Sequence, residues 1–151
     1  MNYTKCKIAG DMSNLDNAIT DMVSILGRAL DEEVPFEVSL NMLAKYIIQN
    51  KITFGCDKSV LKRYRIESKV HKKCCMLKNS CLQESVILFF VFGEMGLEPI
   101  LNIGYIDLSD KNICAHAWLS YQAEKDTCQN PLRVIKQYTY MKYRDKFFQN
   151  I

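Results

Sequence analysis

Three observations predict an α+β fold for this chain of 151 residues, with helices first and a small antiparallel sheet second. Apolar residues recur at helical spacing early in the chain, as in Leu15, Ile19, Met22, Val23, Leu26 and Leu30. Beyond Pro99 the pattern changes to short apolar runs separated by polar turn clusters, which is how strands read. Between the two regimes lies the uninterrupted apolar run 86–92, bounded by a start signal at Asn79 or Ser80 and by Gly96. That combination predicts a buried helix about four turns long.

Taken in order, residues 1–12 are weakly patterned, with a short strand over 5–9 as one reading. Ser13 or Asn14 suits the N-cap of the first helix. The acids Asp31, Glu32 and Glu33 suit the following loop, because a helix C-terminus disfavours anions. Pro35 suits the first turn of a second helix through Gln49, with Val38, Leu40, Leu43, Ala44, Ile47 and Ile48 on its apolar face. Gly55 breaks that pattern, and a basic third helix is expected over 57–76, packed through Val60, Leu61, Tyr64 and Val70. The stretch 57–78 carries eight basic residues against Asp57 and Glu67, so it reads either as a docking face for an acidic partner or as a solvated helix side.

After the buried helix come a strand over 100–108, a turn over 109–112 and a second strand over 113–121. A turn at 123–126 and a short returning strand over 127–130 follow, with Pro131 at its end. The segment 132–151 is compatible with strand then helix. No repeat, low-complexity segment or linker interrupts the chain, so one domain is expected over 1–151: a helical layer over 1–78, then the buried helix and sheet over 79–151.

At 48% hydrophobic and 25% charged residues, the composition is that of an ordinary globular protein. A net charge of +3 gives no argument for nucleic acid or a membrane surface. No apolar run approaches the roughly 20 residues of a membrane span. Seven cysteines, an odd number, with no secretory n-region and h-region, argue for reduced thiols and a cytoplasmic protein.

Chemistry concentrates on one cysteine and one histidine. Cys81 falls in the first turn of the buried helix, where the helix dipole and unpaired N–H groups favour thiolate. Of the two histidines, His71 lies among lysines, whereas His116 lies mid-strand beside the only tryptophan, Trp118. A lone histidine on an apolar strand is most often structural. A cysteine at a helix start 35 residues upstream changes that reading. Nucleophile on a helix and base on the adjoining sheet is the arrangement of thiol acyl-transfer enzymes. Zinc is the competing use, but adjacent Cys74 and Cys75 chelate poorly, and no second cysteine pair follows downstream. No glycine-rich phosphate loop occurs, and no metal or organic cofactor is expected.

Cys81 and Leu82, then Ser85, then Gly96, Leu97, Glu98 and Pro99, then Ile103, Gly104 and Tyr105, then Ala115, His116, Ala117 and Trp118 occur in that order. Over about 40 residues this resembles the leader peptidases of lasso-peptide biosynthesis, transglutaminase-like cysteine proteases related to the microcin-processing protein. The resemblance implies a papain-like or transglutaminase-like core. It also implies removal of the leader from a ribosomally made precursor, alongside a separate leader-binding protein and a ring-closing cyclase. This chain has Gln83 and Glu84 where the family usually has Pro and Arg.

The family places an acid on the strand after the histidine strand. Here Asp126 is the nearest acid but falls in the turn, and Asn130 aligns better on the returning strand. Either would fix the imidazole tautomer, as Asn does in papain-like enzymes. The Cys81 backbone N–H would contribute to an oxyanion hole, with Gln83 in range as a further donor. The alternatives are a non-catalytic scaffold that binds the precursor or its partner, and an amide-forming acyltransferase.

Overall fold

The computed structural model describes residues 11–55, 57–107, 113–121, 132–140 and 148–150. The expected strand over 5–9, the turns at 109–112 and 123–126, the returning strand over 127–130, and both Asp126 and Asn130 lie outside these residues.

Four helices precede an antiparallel sheet: α1 (Asp11–Asp31), α2 (Phe36–Gln49), α3 (Val60–Cys74), α4 (Ser80–Glu94), then β1 (Pro99–Asp107), β2 (Ile113–Tyr121), β3 (Leu132–Tyr140) and β4 (Phe148–Asn150). The α+β class follows. In α1 the residues Leu15, Ile19, Met22 and Leu26 are buried, as their spacing requires. Ser13 and Asn14 lie inside this helix rather than capping it.

The turn after α1 closes through Val34 N–H donating to Ala29 O and Glu33 N–H to Leu30 O, with Glu33 in the left-handed region at φ 57°. The same pattern ends α2, with Lys51 at φ 51°, and α4, with Gly96 at φ 86°. All three are Schellman closures, and only the last uses the residue that signals one in sequence.

On α2, Leu40, Leu43, Ala44 and Ile47 are buried while Val38 and Ile48 face out. Helix α3 differs from expectation more. Ser59 caps it, accepting from the Lys62 N–H at 3.2 Å. Its buried stripe is Lys62, Ile66, Val70 and Cys74, an i, i+4 series. Val60, Leu61 and Tyr64, expected to pack, are exposed at 80%, 58% and 67%. The four-carbon stem of Lys62 takes an apolar position that a hydrophobicity pattern assigns to its neighbours.

The basic face is also partly used internally. Lys69 and Lys73 both reach Asp16 on α1, at 3.4 and 3.8 Å, and the Arg63 guanidinium lies over the rings of Tyr121 and Phe92 at 5.0 and 5.9 Å. Reversing charge at Arg63 therefore acts on the fold. Arg63→Glu is expected to cost about 1–3 kcal/mol, whereas Arg65→Glu, on the exposed side, stays within about 0.5 kcal/mol, as read by urea denaturation.

Helix α4 is the centre of the molecule. Every residue from Ser85 to Gly93 is buried, and the other three helices and β1, β2 and β3 all contact it. Gly93 is required by packing, since a Cβ there would overlap the Tyr140 ring, which is itself edge-on to Phe89 and Phe90. Gly93→Val should lower stability by about 2–4 kcal/mol, measured as a shift in the denaturation midpoint at unchanged slope.

The sheet runs in the order β2-β1-β3-β4. β3 pairs with the edge of β1 opposite β2, from Ile100 with Thr139 to Ile106 with Leu132. β2 pairs with β1 (Gly104 with His116, Ile103 with Ala117), and the head of α4 lies against β2 at Ala117. The segment 132–140 is a full strand, so the strand-then-helix reading of the tail holds for its strand, and β4 follows it.

Candidate active site

Cys81 is the second residue of α4, so its side chain and the unpaired N–H groups of the first turn emerge together. Asn79 precedes the helix in the left-handed region without a side-chain capping bond, and the backbone bond from Gln83 N–H to Asn79 O closes the turn. Glu84 does not close a capping box. Its carboxylate pairs with His71 Nδ1 at 3.2 Å, joining α4 to α3.

His116 faces Cys81 from β2, with Sγ and Nδ1 separated by 3.1 Å. The thiol also has Ala117 O at 3.1 Å, and Ser85 Oγ donates to that same carbonyl at 3.0 Å. Cys81 and Ser85 lie one turn apart on α4, so both reach the same backbone carbonyl of β2. The bond from Ser85 holds the helix head and the strand in register, so the sulfur and the imidazole meet without either side chain reaching. The sequence pattern contains Ser85 but gives no sign of this role, because it depends on how α4 docks against β2.

The imidazole stacks on the Trp118 indole, with ring centroids 5.5 Å apart and planes 19° apart. Below them Asn102, almost fully buried, donates to Trp118 O and Ser120 Oγ and accepts from Gln137 Nε2. This cross-strand network ties β2, β1 and β3 together behind the histidine. It fixes the Trp118 backbone, and with it the ring that flanks the imidazole.

Cys81 and His116 open into a cleft of about 490 Å³ whose other walls include Glu67, His71, Glu84 and Leu88. Of the sequence-predicted residues, Cys81 and His116 are therefore brought together, while Asp126 and Asn130 lie outside the described residues. Gln83 is not brought to this cleft. It is 4% exposed on the opposite side of the helix, and its Nε2 donates to Lys78 O at 2.9 Å, which leaves Oε1 unpartnered. One of its two amide N–H groups is thus occupied, and the backbone N–H groups at the head of α4 are donors available to a developing oxyanion.

Among the described residues no three of His, Cys, Asp and Glu converge as a metal cluster, and no helix is long and apolar enough to cross a membrane. Cys74 and Cys75, weighed as ligands, diverge: Cys74 is buried and Cys75 exposed. Burial pushes the Cys74 thiol up to about 11, with the charge of Glu84 acting in the same direction. Iodoacetamide at pH 7 should therefore modify Cys75 and leave Cys74 intact, as checked by peptide mapping. Raising the pH from about 9 to 11 should erode stability, because the unfolded chain ionises this thiol first. Cys74→Val should flatten that part of the pH–stability curve.

Compared with known proteins, the chain matches no family model, no curated protein and no solved structure.

Proposed function

We propose that the chain is a cysteine peptidase whose nucleophile is Cys81 and whose general acid–base is His116. One observation carries this reading: a thiol at a helix head lies 3.1 Å from a histidine nitrogen, in an open cleft. Cys81 Sγ adds to the scissile carbonyl as His116 takes the thiol proton, forming the C–S bond. The tetrahedral oxyanion is met by N–H groups at the head of α4. His116 then protonates the departing amine as the C–N bond breaks. Water attacks the thioester, giving up a proton to His116 and restoring the thiol. The residue that orients His116 is Asn130 or Asp126.

The substrate assignment rests on the motif resemblance. The peptide cut is the leader of a lasso-peptide precursor, processed in the cytoplasm with a leader-binding protein and a ring-closing cyclase as partners. A short precursor gene and an asparagine-synthetase-like gene beside the coding gene would support that assignment.

The chemical test is the acyl acceptor. In water enriched in oxygen-18, a cleaved peptide should carry the label in its new carboxyl group, read by mass spectrometry. Transfer to an added amine with no labelled acid would make the protein an acyltransferase instead. No turnover of any peptide, with peptide binding retained, would leave a binding scaffold.

A further inference from the structure

A second opening adjoins the head of α4 on the side away from His116. It is a groove of about 560 Å³ lined chiefly by Leu30, Phe36, Leu82, Ile103, Ile135 and Tyr138. It shares no lining residue with the Cys81–His116 cleft, but two neighbours place it beside the catalytic pair. Leu82 directly follows Cys81, and Ile103 is the cross-strand partner of Ala117, whose carbonyl lies 3.1 Å from the sulfur. Glu37 and Lys136 also line the groove, paired at 2.9 Å, with Tyr138 O–H donating to the same carboxylate. The hydrogen bond and charge of Lys136 hold Glu37 below its ordinary value, so the two charges neutralise one another at neutral pH. What the groove offers an occupant is apolar surface.

The direction of a bound peptide follows from the proton transfer. His116 must reach the departing amine, so the leaving segment lies on the His116 side, over the cleft that holds Glu67, His71 and Glu84. The acyl segment then runs the other way, past Leu82. Resting on the reading of Cys81 as nucleophile, the geometry points to this groove as the pocket for an aromatic or long aliphatic side chain on the acyl side of the scissile bond. Leu82 and Ile103 form its inner end and Ile135 its outer wall. Ile135 stands out because the β1–β3 register shifts at Ile103 and Gly104, and it is 68% exposed. A half-buried apolar groove that gains a matching side chain discriminates by tenfold or more.

The test uses the full chain and two dipeptidyl chloromethyl ketones, one with phenylalanine and one with glycine at the residue bearing the ketone. In each reaction the thioether forms as chloride leaves and the thiol proton passes to solvent. Alkylation at Cys81 is followed by peptide mapping, with iodoacetamide as a reagent too small to need the groove. Corrected for their rates with free glutathione, the phenylalanine ketone should react about tenfold or more faster than the glycine ketone. Ile135→Ser and Phe36→Ala should each lower that ratio about threefold or more while leaving the iodoacetamide rate unchanged. Equal rates for the two ketones, with iodoacetamide still reacting at Cys81 in a His116-dependent way, would overturn the groove and leave the nucleophile standing. Iodoacetamide reacting no faster at Cys81 than at Cys75 would remove the nucleophile, and the groove assignment with it.

Discussion

Cys81→Ala is expected to fold normally and to cleave no peptide. Alanine is the best helix former, and the position is half-buried at the first turn, so the backbone loses nothing. The substitution removes two contacts of the sulfur, to His116 and to Ala117 O, but the carbonyl keeps its bond from Ser85. A stability cost under about 1 kcal/mol follows. The loss in turnover should be about 10⁴-fold or more, because the covalent thioester intermediate is formed on the Cys81 sulfur. Mass spectrometry of the peptide products measures it, and Cys75→Ala, at an exposed thiol that does not line this cleft, should retain activity. Cleavage persisting in Cys81→Ala would move the chemistry elsewhere.

His116→Ala should be about as damaging, and the double variant little worse than either single one. Nucleophile and base act as a unit: without the imidazole the thiol keeps its proton in the attack, and without the sulfur the imidazole has nothing to serve. Among the described residues the structural cost is the stacking contact with Trp118, worth about 1 kcal/mol, and the contact with Cys81 Sγ, so a melt near that of the parent should accompany the loss. Losses that multiply in the double variant would make His116 a structural residue. Asn102→Ala should lower turnover less, through the tether of the Trp118 backbone.

The sequence makes α4 and its thiol legible because those signals are local. A run of apolar residues ending at Gly96 states both the burial and the stop of the helix, and the strand bearing His116 alternates cleanly. What escapes it is non-local. Strand order is one such property: no local signal says that β3 pairs with the edge of β1 opposite β2. Asp126 and Asn130, the two candidates for orienting His116, lie outside the described residues.

The packing face of α3 is only partly legible, through Val70, because lysine counts as polar in any pattern, whereas Lys62 buries its stem and leaves Val60, Leu61 and Tyr64 outside. The left-handed turns at Glu33 and Lys51 were equally invisible, since neither residue type marks a helix end. Glu84 shows the same limit. Its spacing from Ser80 fits a capping acid, but His71 on a neighbouring helix takes it instead.

The most direct measurement of the central claim compares two thiols in one molecule. Cys81 and Cys75 are alkylated with iodoacetamide at pH 7, and the rate at each is read by peptide mapping in the parent and in His116→Ala. A thiol activated by an adjacent base at a helix head should react about tenfold or more faster than an exposed thiol without one. The account predicts that advantage for Cys81 in the parent and its loss in His116→Ala, with Cys75 unchanged. Equal rates in the parent, or an advantage that survives removal of the imidazole, would contradict it.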